Sequence, residues 1–170
     1  RAPTTWDAVF CDVGQGDMTV LRAGDGEAVV IDAAPEPQSA LGCLDKLGVR
    51  RVTVLILTHF HADHVGGAAA LLKRYRPPLV LVSCVASPPG EAKAIRQEAT
   101  RAGSQVQVPE EGQTITAGLV TWTTISAWET SVAGSEGEGE SSAENNASLV
   151  GIAVASGIRI LMAGDAEPAG

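Results

Sequence analysis

Apolar and polar positions along the chain follow two periods, and each period predicts a different kind of element. Short runs rich in β-branched residues, two of them apolar on both faces, predict buried strands. Elsewhere apolar residues recur at intervals of three and four, which predicts amphipathic helices. The predicted strands cover residues 8–13, 18–22, 28–31, 52–57, 79–82, 114–116, 120–125, 149–155 and 158–162, and the predicted helices cover residues 37–47, 65–75 and 91–102.

The order of these elements indicates the fold class. The first three strands are separated by turns rich in Gly and Asp at residues 14–17 and 24–27, which is typical of an antiparallel meander. Strands and helices then alternate, and the last predicted elements are strands again. This order predicts a layered α/β protein with a largely mixed sheet and helices outside it.

Composition limits the class of protein further. The chain has 170 residues and 45% are hydrophobic, which is typical of one globular domain over residues 1–170. The 12 Lys and Arg against 20 Asp and Glu give a net charge of −8, so any polyanion must be bound locally. Cys11, Cys43 and Cys84 are widely spaced, which indicates small core residues and supports no particular disulfide.

One segment accounts for much of the acidity. Residues 135–144 contain four glutamates among glycines and serines. Such a composition offers no apolar surface to bury. We therefore predict a mobile acidic loop over residues 131–144.

All three histidines of the chain lie within six residues, directly after the buried strand at 52–57. The carboxyl end of an inner strand is where α/β sheets place their ligands. Imidazole nitrogens and carboxylate oxygens are ligands for Zn²⁺ or Mn²⁺. The alternative is a surface loop without an ion. The cluster predicts a divalent metal site formed by His59, His61, Asp63 and His64.

Residues 59–67, His-x-His-x-Asp-His followed by x-Gly-Gly, resemble the signature of the metallo-β-lactamase superfamily. The resemblance implies an αββα sandwich that binds two divalent ions at one edge of its sheets. Asp165, after the predicted strand at 158–162, matches the aspartate that bridges the two ions. The other four ligands are divided between the ions, with His59 and His61 on the first and Asp63 and His64 on the second.

The chain departs from that signature at two positions. The third histidine of the first ion is absent, and Asn146 or a neighbour within residues 145–148 falls where it should be. An amide oxygen is a harder donor than imidazole, which favours Mn²⁺ as well as Zn²⁺. The last histidine of the second ion should follow Asp165 and is missing. We therefore expect the sandwich to be truncated at its C-terminus.

Three further motifs resemble the metallo-β-lactamase-like domain of the ComEC family, the channels through which competent bacteria take up DNA. They are residues 10–17 (FCDVGQGD), 30–32 (VID) and 145–150 (NNASLV), and they are not general to the fold. Hairpin glycines at residues 14–17 and a turn or supporting role for Asp32 remain open alternatives. The motifs add four candidates that line the site, namely Gln15, Asp17, Asp32 and Asn146.

These resemblances imply a metal-dependent hydrolase. Two ions lower the pKa of a water, with Asp63 orienting the water and Asp165 bridging the ions as catalytic residues. The expected function is a nuclease that degrades the DNA strand which is not imported, with single-stranded DNA as its partner.

The parent protein is expected to lie in the cell membrane. The chain begins without Met, which favours a piece of a longer protein, and its other partner would be the channel portion of that protein. This domain would then lie on the extracytoplasmic side. Two alternatives stay open, a stand-alone hydrolase of phosphoesters or small esters, and a non-catalytic module of the channel that guides DNA.

Overall fold

The chain folds into two β-sheets that pack face to face, in a computed structural model that describes residues 5–127 and 142–167. The strands of the first sheet, in spatial order, are β1 (Ala8–Phe10), β2 (Thr19–Gly24), β3 (Glu27–Ile31), β4 (Arg51–Leu57), β5 (Leu79–Val82) and β6 (Gln105–Gln107). The first three strands pair antiparallel, and β3 to β6 pair parallel. The sheet is therefore mixed, as predicted.

The second sheet is antiparallel and packs on the first through apolar side chains. Its strands are β7 (Thr114–Ala117), β8 (Val120–Ser126), β9 (Val150–Ala155) and β10 (Ile158–Met162). Trp122 and Ala153 on its inner face pack with Val29 and Ile31 of β3. Val30 points the other way, because successive residues of a strand face opposite sides of the sheet.

Helices cover the other face of the first sheet. The helices of the described residues are α1 (Pro37–Lys46), α2 (Ala62–Val65), α3 (Ala68–Tyr75), α4 (Pro89–Ala102) and α5 (Ser142–Asn146), and the first four contribute to the core on this face. Leu44 of α1, Leu72 of α3 and Ile95 of α4 belong to one core cluster with Val30 and Leu55. The predicted layered α/β sandwich is confirmed, and its histidine loop follows β4 at one edge.

The helix predicted at residues 65–75 is shorter in the structure, because α3 begins only at Ala68 and is divided from the short helix α2 that precedes it. The division falls at Gly66 and Gly67, which pack against the chain that follows β3. A Cβ on Gly66 would lie 1.9 Å from the carbonyl oxygen of Pro35, so only glycine permits this approach. The close contact brings the histidine loop beside Asp32.

The predicted mobile loop ends earlier than expected. Residues 131–141 of that prediction lie outside the described part of the chain. Its last three residues, 142–144, lie in α5, so this part of the prediction is wrong. The physical reason is that the carboxylate of Glu144 hydrogen-bonds to the buried His61 and to Ser87.

Two other features differ from the sequence analysis. Cys11 and Cys43 form a disulfide between the segment after β1 and α1, a pairing that their spacing did not indicate. The short strand β6 was not predicted, because three residues are too few to show a period. No helix within the described ranges is long and apolar enough to cross a membrane.

Candidate metal centre

Four chain segments meet at one edge of the two sheets. Asp32 follows β3 and the loop from Thr58 to His64 follows β4, because parallel neighbours end at the same edge. Ser148 precedes β9 and Asp165 follows β10 in the second sheet. The backbone N–H of Leu149 donates to the carbonyl of Thr58 at 2.8 Å, which joins the two sheets at this edge.

Asp32 is a buried residue that hydrogen-bonds to the histidine loop at this edge. It is 2% exposed and adopts a φ of 56°, which turns the chain directly after β3. Its Oδ1 accepts from the backbone N–H of Thr58 at 2.8 Å, and its Oδ2 accepts from the Thr58 hydroxyl at 2.8 Å. Its Oδ2 also lies 2.9 Å from Nδ1 of His64. Asp32 therefore fixes the ring of His64 and leaves Nε2 directed away from it.

The hydrogen-bond network assigns a tautomer to His59. The Thr58 hydroxyl has one hydrogen, which it donates to Asp32, so it accepts from Nδ1–H of His59 at 3.1 Å. The hydroxyl of Ser148 lies 3.4 Å from the same Nδ1. Nε2 of His59 is then left without a hydrogen and has a free lone pair.

The contacts of His61 also assign a tautomer, but in this ring Nε2 rather than Nδ1 carries the hydrogen. Nε2 of His61 lies 2.7 Å from the carboxylate of Glu144 and must carry the hydrogen, since a carboxylate only accepts. Nδ1 is then bare and lies 3.1 Å from the bare Nε2 of His59. Two lone pairs at this distance repel unless a cation or a proton lies between them.

A second group of donor atoms lies beside the first. Nε2 of His64 is 3.3 Å from Oδ1 of Asp165 and 3.8 Å from Oδ2 of Asp63. The other oxygen of Asp63, Oδ1, is buried and has no hydrogen-bond partner among the described residues. One ligand atom from each of His59, His64 and Asp165 lies within 4.8 Å of the others. The two groups are therefore contiguous.

These residues fit divalent metal ions. Zn–N distances of about 2.0–2.1 Å place two tetrahedral donors about 3.3 Å apart, close to the observed spacings in both groups. Each histidine is also held through its other nitrogen by a carboxylate or hydroxyl, as ligating histidines are. The sequence-predicted ligands His59, His61, Asp63, His64 and Asp165 thus lie together, and their assignment to two ions remains a prediction.

The two ends of the site differ in charge. Burial and the nearby His64 and His61 lower the pKa of His59 to about 3, so its ring is neutral at physiological pH. Burial also acts to lower the pKa of His64, but the hydrogen bond and charge of Asp32, with Asp165 and Asp63, raise it to about 9. Burial raises the pKa of Asp32 itself, and the bonds from His64 and Thr58 oppose that shift. Without metal, His64 is therefore a cation.

The turn at residues 14–17 supports the site through its backbone. A Cβ on Gly16 would lie 2.3 Å from the carbonyl oxygen of Asp63, and the N–H of Asp17 donates to that oxygen at 3.3 Å. The side chains of Gln15 and Asp17 are exposed. The structure therefore gives Gly16 a role in placing Asp63, while Gln15 and Asp17 remain predictions as lining residues.

Asn146 remains a prediction as a lining residue, and Glu144 differs from what the sequence suggested. Oδ1 of Asn146 accepts from the backbone N–H of Glu167 at 2.8 Å, so this oxygen contacts the segment that follows Asp165. Glu144, which sequence reasoning assigned to the loop, contacts His61 instead. Glu144 stands directly before the motif at residues 145–150, and this position could have marked it as a site residue. Its glycine-rich and acidic neighbours indicated a loop instead.

An α/β sandwich of two sheets with histidines and carboxylates at one edge defines a class of metal-dependent hydrolases. The sequence profile of the metallo-β-lactamase superfamily matches residues 11–170, nearly the whole chain. The chain therefore belongs to the metallo-β-lactamase superfamily, whose fold binds divalent metals, typically zinc.

Curated relatives are similar over a shorter stretch. A hydroxyacylglutathione hydrolase of Gloeothece citriformis is 48% identical over 48 residues, which are 28% of this chain and 18% of the relative. Another, from Chromohalobacter salexigens, is 36% identical over 61 residues, which are 36% of this chain and 24% of the relative. The match thus spans about a fifth of these relatives' own length.

Solved structures share the fold at low sequence identity. A B3 metallo-β-lactamase with an active-site glutamic acid aligns with a TM-score of 0.54 and 22% identity, over 73% of this chain and 50% of that one. Zn²⁺-bound PqqB from Methylobacterium extorquens aligns with a TM-score of 0.54 and 13% identity, over 85% and 47% of the two chains. YhfI from Bacillus subtilis aligns with a TM-score of 0.56 and 10% identity, over 86% and 53%.

Proposed function

We propose that this domain hydrolyses ester bonds with divalent metal ions held at the histidine edge. The observation that carries the proposal is the pair of bare nitrogens, Nε2 of His59 and Nδ1 of His61, at 3.1 Å. Each faces the other because its second nitrogen is already bonded to a hydroxyl or a carboxylate. Ligating histidines are held through their other nitrogen in this way, so the pair suits a divalent cation. The superfamily is one of metal-dependent hydrolases.

The residues of this chain would share the work as follows. His59 and His61 would hold one ion, Asp63 and His64 would hold the other, and Asp165 would be a ligand that both share. When bound, such ions supply a nucleophile by lowering the pKa of water and neutralise charge on the substrate. Asp63 orients the attacking water, and Asp32 keeps the ring of His64 in position through Nδ1.

The proposed substrate is the phosphodiester bond of DNA, in a domain of a ComEC-like uptake channel. Support comes from the motifs that resemble that family, because Gly16 packs on Asp63 and Ser148 lies beside His59. The disulfide between Cys11 and Cys43 supports an extracytoplasmic position, since disulfides persist in oxidising compartments. The membrane channel would then be part of the same longer protein.

A second candidate is the hydrolysis of a carboxylic ester or thioester by a stand-alone enzyme. It is favoured by the curated relatives, whose names describe hydroxyacylglutathione hydrolases. The likeness extends over at most 36% of the chain in these two relatives. The two candidates share the metal centre and differ in the substrate.

The test compares both substrates with the same protein. We expect protein supplied with Mn²⁺ or Zn²⁺ to cleave labelled single-stranded DNA. Asp165→Asn should lower the rate by about 100-fold or more, because a neutral amide holds divalent cations less well than a carboxylate does. Glu167→Gln changes an exposed neighbouring carboxylate and is the matched control.

Each alternative outcome has a clear meaning. Cleavage of a hydroxyacylglutathione thioester without cleavage of DNA would favour the second candidate. Metal binding with cleavage of neither substrate would overturn the hydrolase proposal and leave the non-catalytic module that guides DNA.

A further inference from the structure

Positive charge is concentrated in one part of this acidic chain. Residues 66–103, which include α3 and α4, contain six of the 12 Lys and Arg but only two of the 20 Asp and Glu. Six minus two gives +4 for this stretch, whereas the other residues carry six minus 18, or −12. A polyanion is therefore repelled by most of the protein and attracted to these helices.

Several cations of this stretch have no acidic partner. Arg74 pairs with Asp45, and Arg101 pairs with Glu98. The remaining four have no carboxylate within 4.0 Å of their charged groups in the described parts of the chain. We name them the α3–α4 cation surface, and it consists of Lys73, Arg76, Lys93 and Arg96.

The shape of this surface suits an extended ligand. Lys93 and Arg96 lie three residues apart on one side of α4 and line a depression of about 370 Å³ together with Ala86 and Pro89. A second depression of about 280 Å³ includes Lys73 and Arg76, at the ends of α3 and α4. Lys93 and Arg96 thus lie along α4, and Lys73 and Arg76 lie beside its C-terminal end.

One end of the surface lies close to the metal centre. The first depression begins at Ala86, next to Ser87, whose hydroxyl donates to the carboxylate of Glu144. Glu144 in turn bonds to His61. A chain of phosphates bound along α4 would therefore reach the rim of the candidate metal centre.

We infer that the α3–α4 cation surface binds the phosphodiester backbone of DNA. Binding there requires no metal, so the inference goes beyond hydrolysis, although the choice of DNA rests on the proposed function. A membrane surface fits less well, because an interfacial helix also inserts large apolar side chains. Those exposed in the described residues lie on neither α3 nor α4, and they are Phe10, Val108, Leu119, Ile125, Ile158 and Leu161.

The test measures DNA binding without metal, by fluorescence anisotropy of a labelled single strand in the presence of chelator. Lys93→Gln with Arg96→Gln should weaken binding at least tenfold at low salt. It should also make log K fall less steeply with log salt, with the slope smaller in magnitude by about 1.4, since each contact to a single strand contributes about 0.7. The matched control is Arg50→Gln with Arg51→Gln, which removes two cations that are paired with Asp25 and Glu27.

The outcomes separate this inference from the proposed activity. Equal weakening by both double variants, or no weakening by either, would overturn the surface. The inference would also be overturned if the wild-type protein bound anionic lipid vesicles but did not bind DNA. DNA that is bound through α4 but never cut would support the surface and count against the nuclease. Cleavage of DNA with an unchanged KM in the Lys93 and Arg96 variant would support the nuclease and count against the surface.

Discussion

The two halves of the candidate metal centre hold their histidines in different electrostatic states. In the first half, His59 and His61, the ring of His59 is neutral because its pKa is lowered to about 3. In the second half, Asp63, His64 and Asp165, the pKa of His64 is raised to about 9 by carboxylates that outweigh its burial. A metal ion entering the second half must displace a proton, whereas Nε2 of His59 is already bare.

This difference teaches how one short loop can build two unlike sites. His59 and His64 are five residues apart, and their rings lie 4.1 Å apart between centroids. What distinguishes them is the partner of Nδ1, which is a hydroxyl for His59 and the carboxylate of Asp32 for His64. Thr58 directly precedes His59 in the same loop, whereas Asp32 comes from the end of β3, so the fold rather than the motif sets the charge of His64.

The largest expected effect comes from breaking the second half. Asp32→Ala removes the buried partner of His64 and of Thr58, and breaking a buried ion pair costs about 3–5 kcal/mol. We expect the free energy of unfolding of the metal-free protein, measured in denaturant, to fall by that amount. Metal affinity should fall as well, because the ring of His64 loses its orientation.

Asp32→Asn serves as the control for charge. Its amide oxygen can still accept from the N–H of Thr58, so the fold should lose less than in Asp32→Ala. If Asp32→Asn were as stable as the wild-type protein, the charge of Asp32 would contribute nothing, and the contrast between the two halves would lose its basis.

A second prediction concerns the pH dependence of the metal-free protein. The folded pKa of His64 lies above its ordinary value of 6.5, so its stabilisation is complete below pH 6.5 and is lost as the pH rises to about 9. The difference of about 2.5 pH units corresponds to roughly 3 kcal/mol. His59 has the opposite sign, and its contribution is present above pH 6.5 and is lost as the pH falls toward 3.

Unfolding by denaturant in chelator, at several pH values, checks this prediction. We expect His64→Gln to remove the loss on the alkaline side, and His59→Gln to remove the loss on the acid side. Identical pH profiles for the two variants would contradict the assignment of unlike charge to the two halves.

The sequence predicted the second half of the site better than the first. The histidine loop and Asp165 each follow a predicted strand, and Asp32, the partner of His64, stands at the end of another predicted strand. In the first half, the partner of His61 is Glu144, 83 residues further along the chain. No local period reports such a contact, and its acidic neighbours indicated a loop. The disulfide between Cys11 and Cys43 escaped for the same reason, because a pairing over 32 residues depends on tertiary structure.

The smallest expected effect tests the first half. Glu144→Gln keeps a hydrogen-bonding side chain against Nε2 of His61 but removes its charge, so the free energy of unfolding should change by about 1 kcal/mol. The amide can donate as well as accept, so the hydrogen is no longer held on Nε2, and Nδ1 is no longer kept bare for an ion. Titration of the protein with Mn²⁺ should then show weaker binding of one ion and unchanged binding of the other. Glu111→Gln, at an exposed position, is the matched control, and equal loss of both ions in Glu144→Gln would mean that the two halves act as one site.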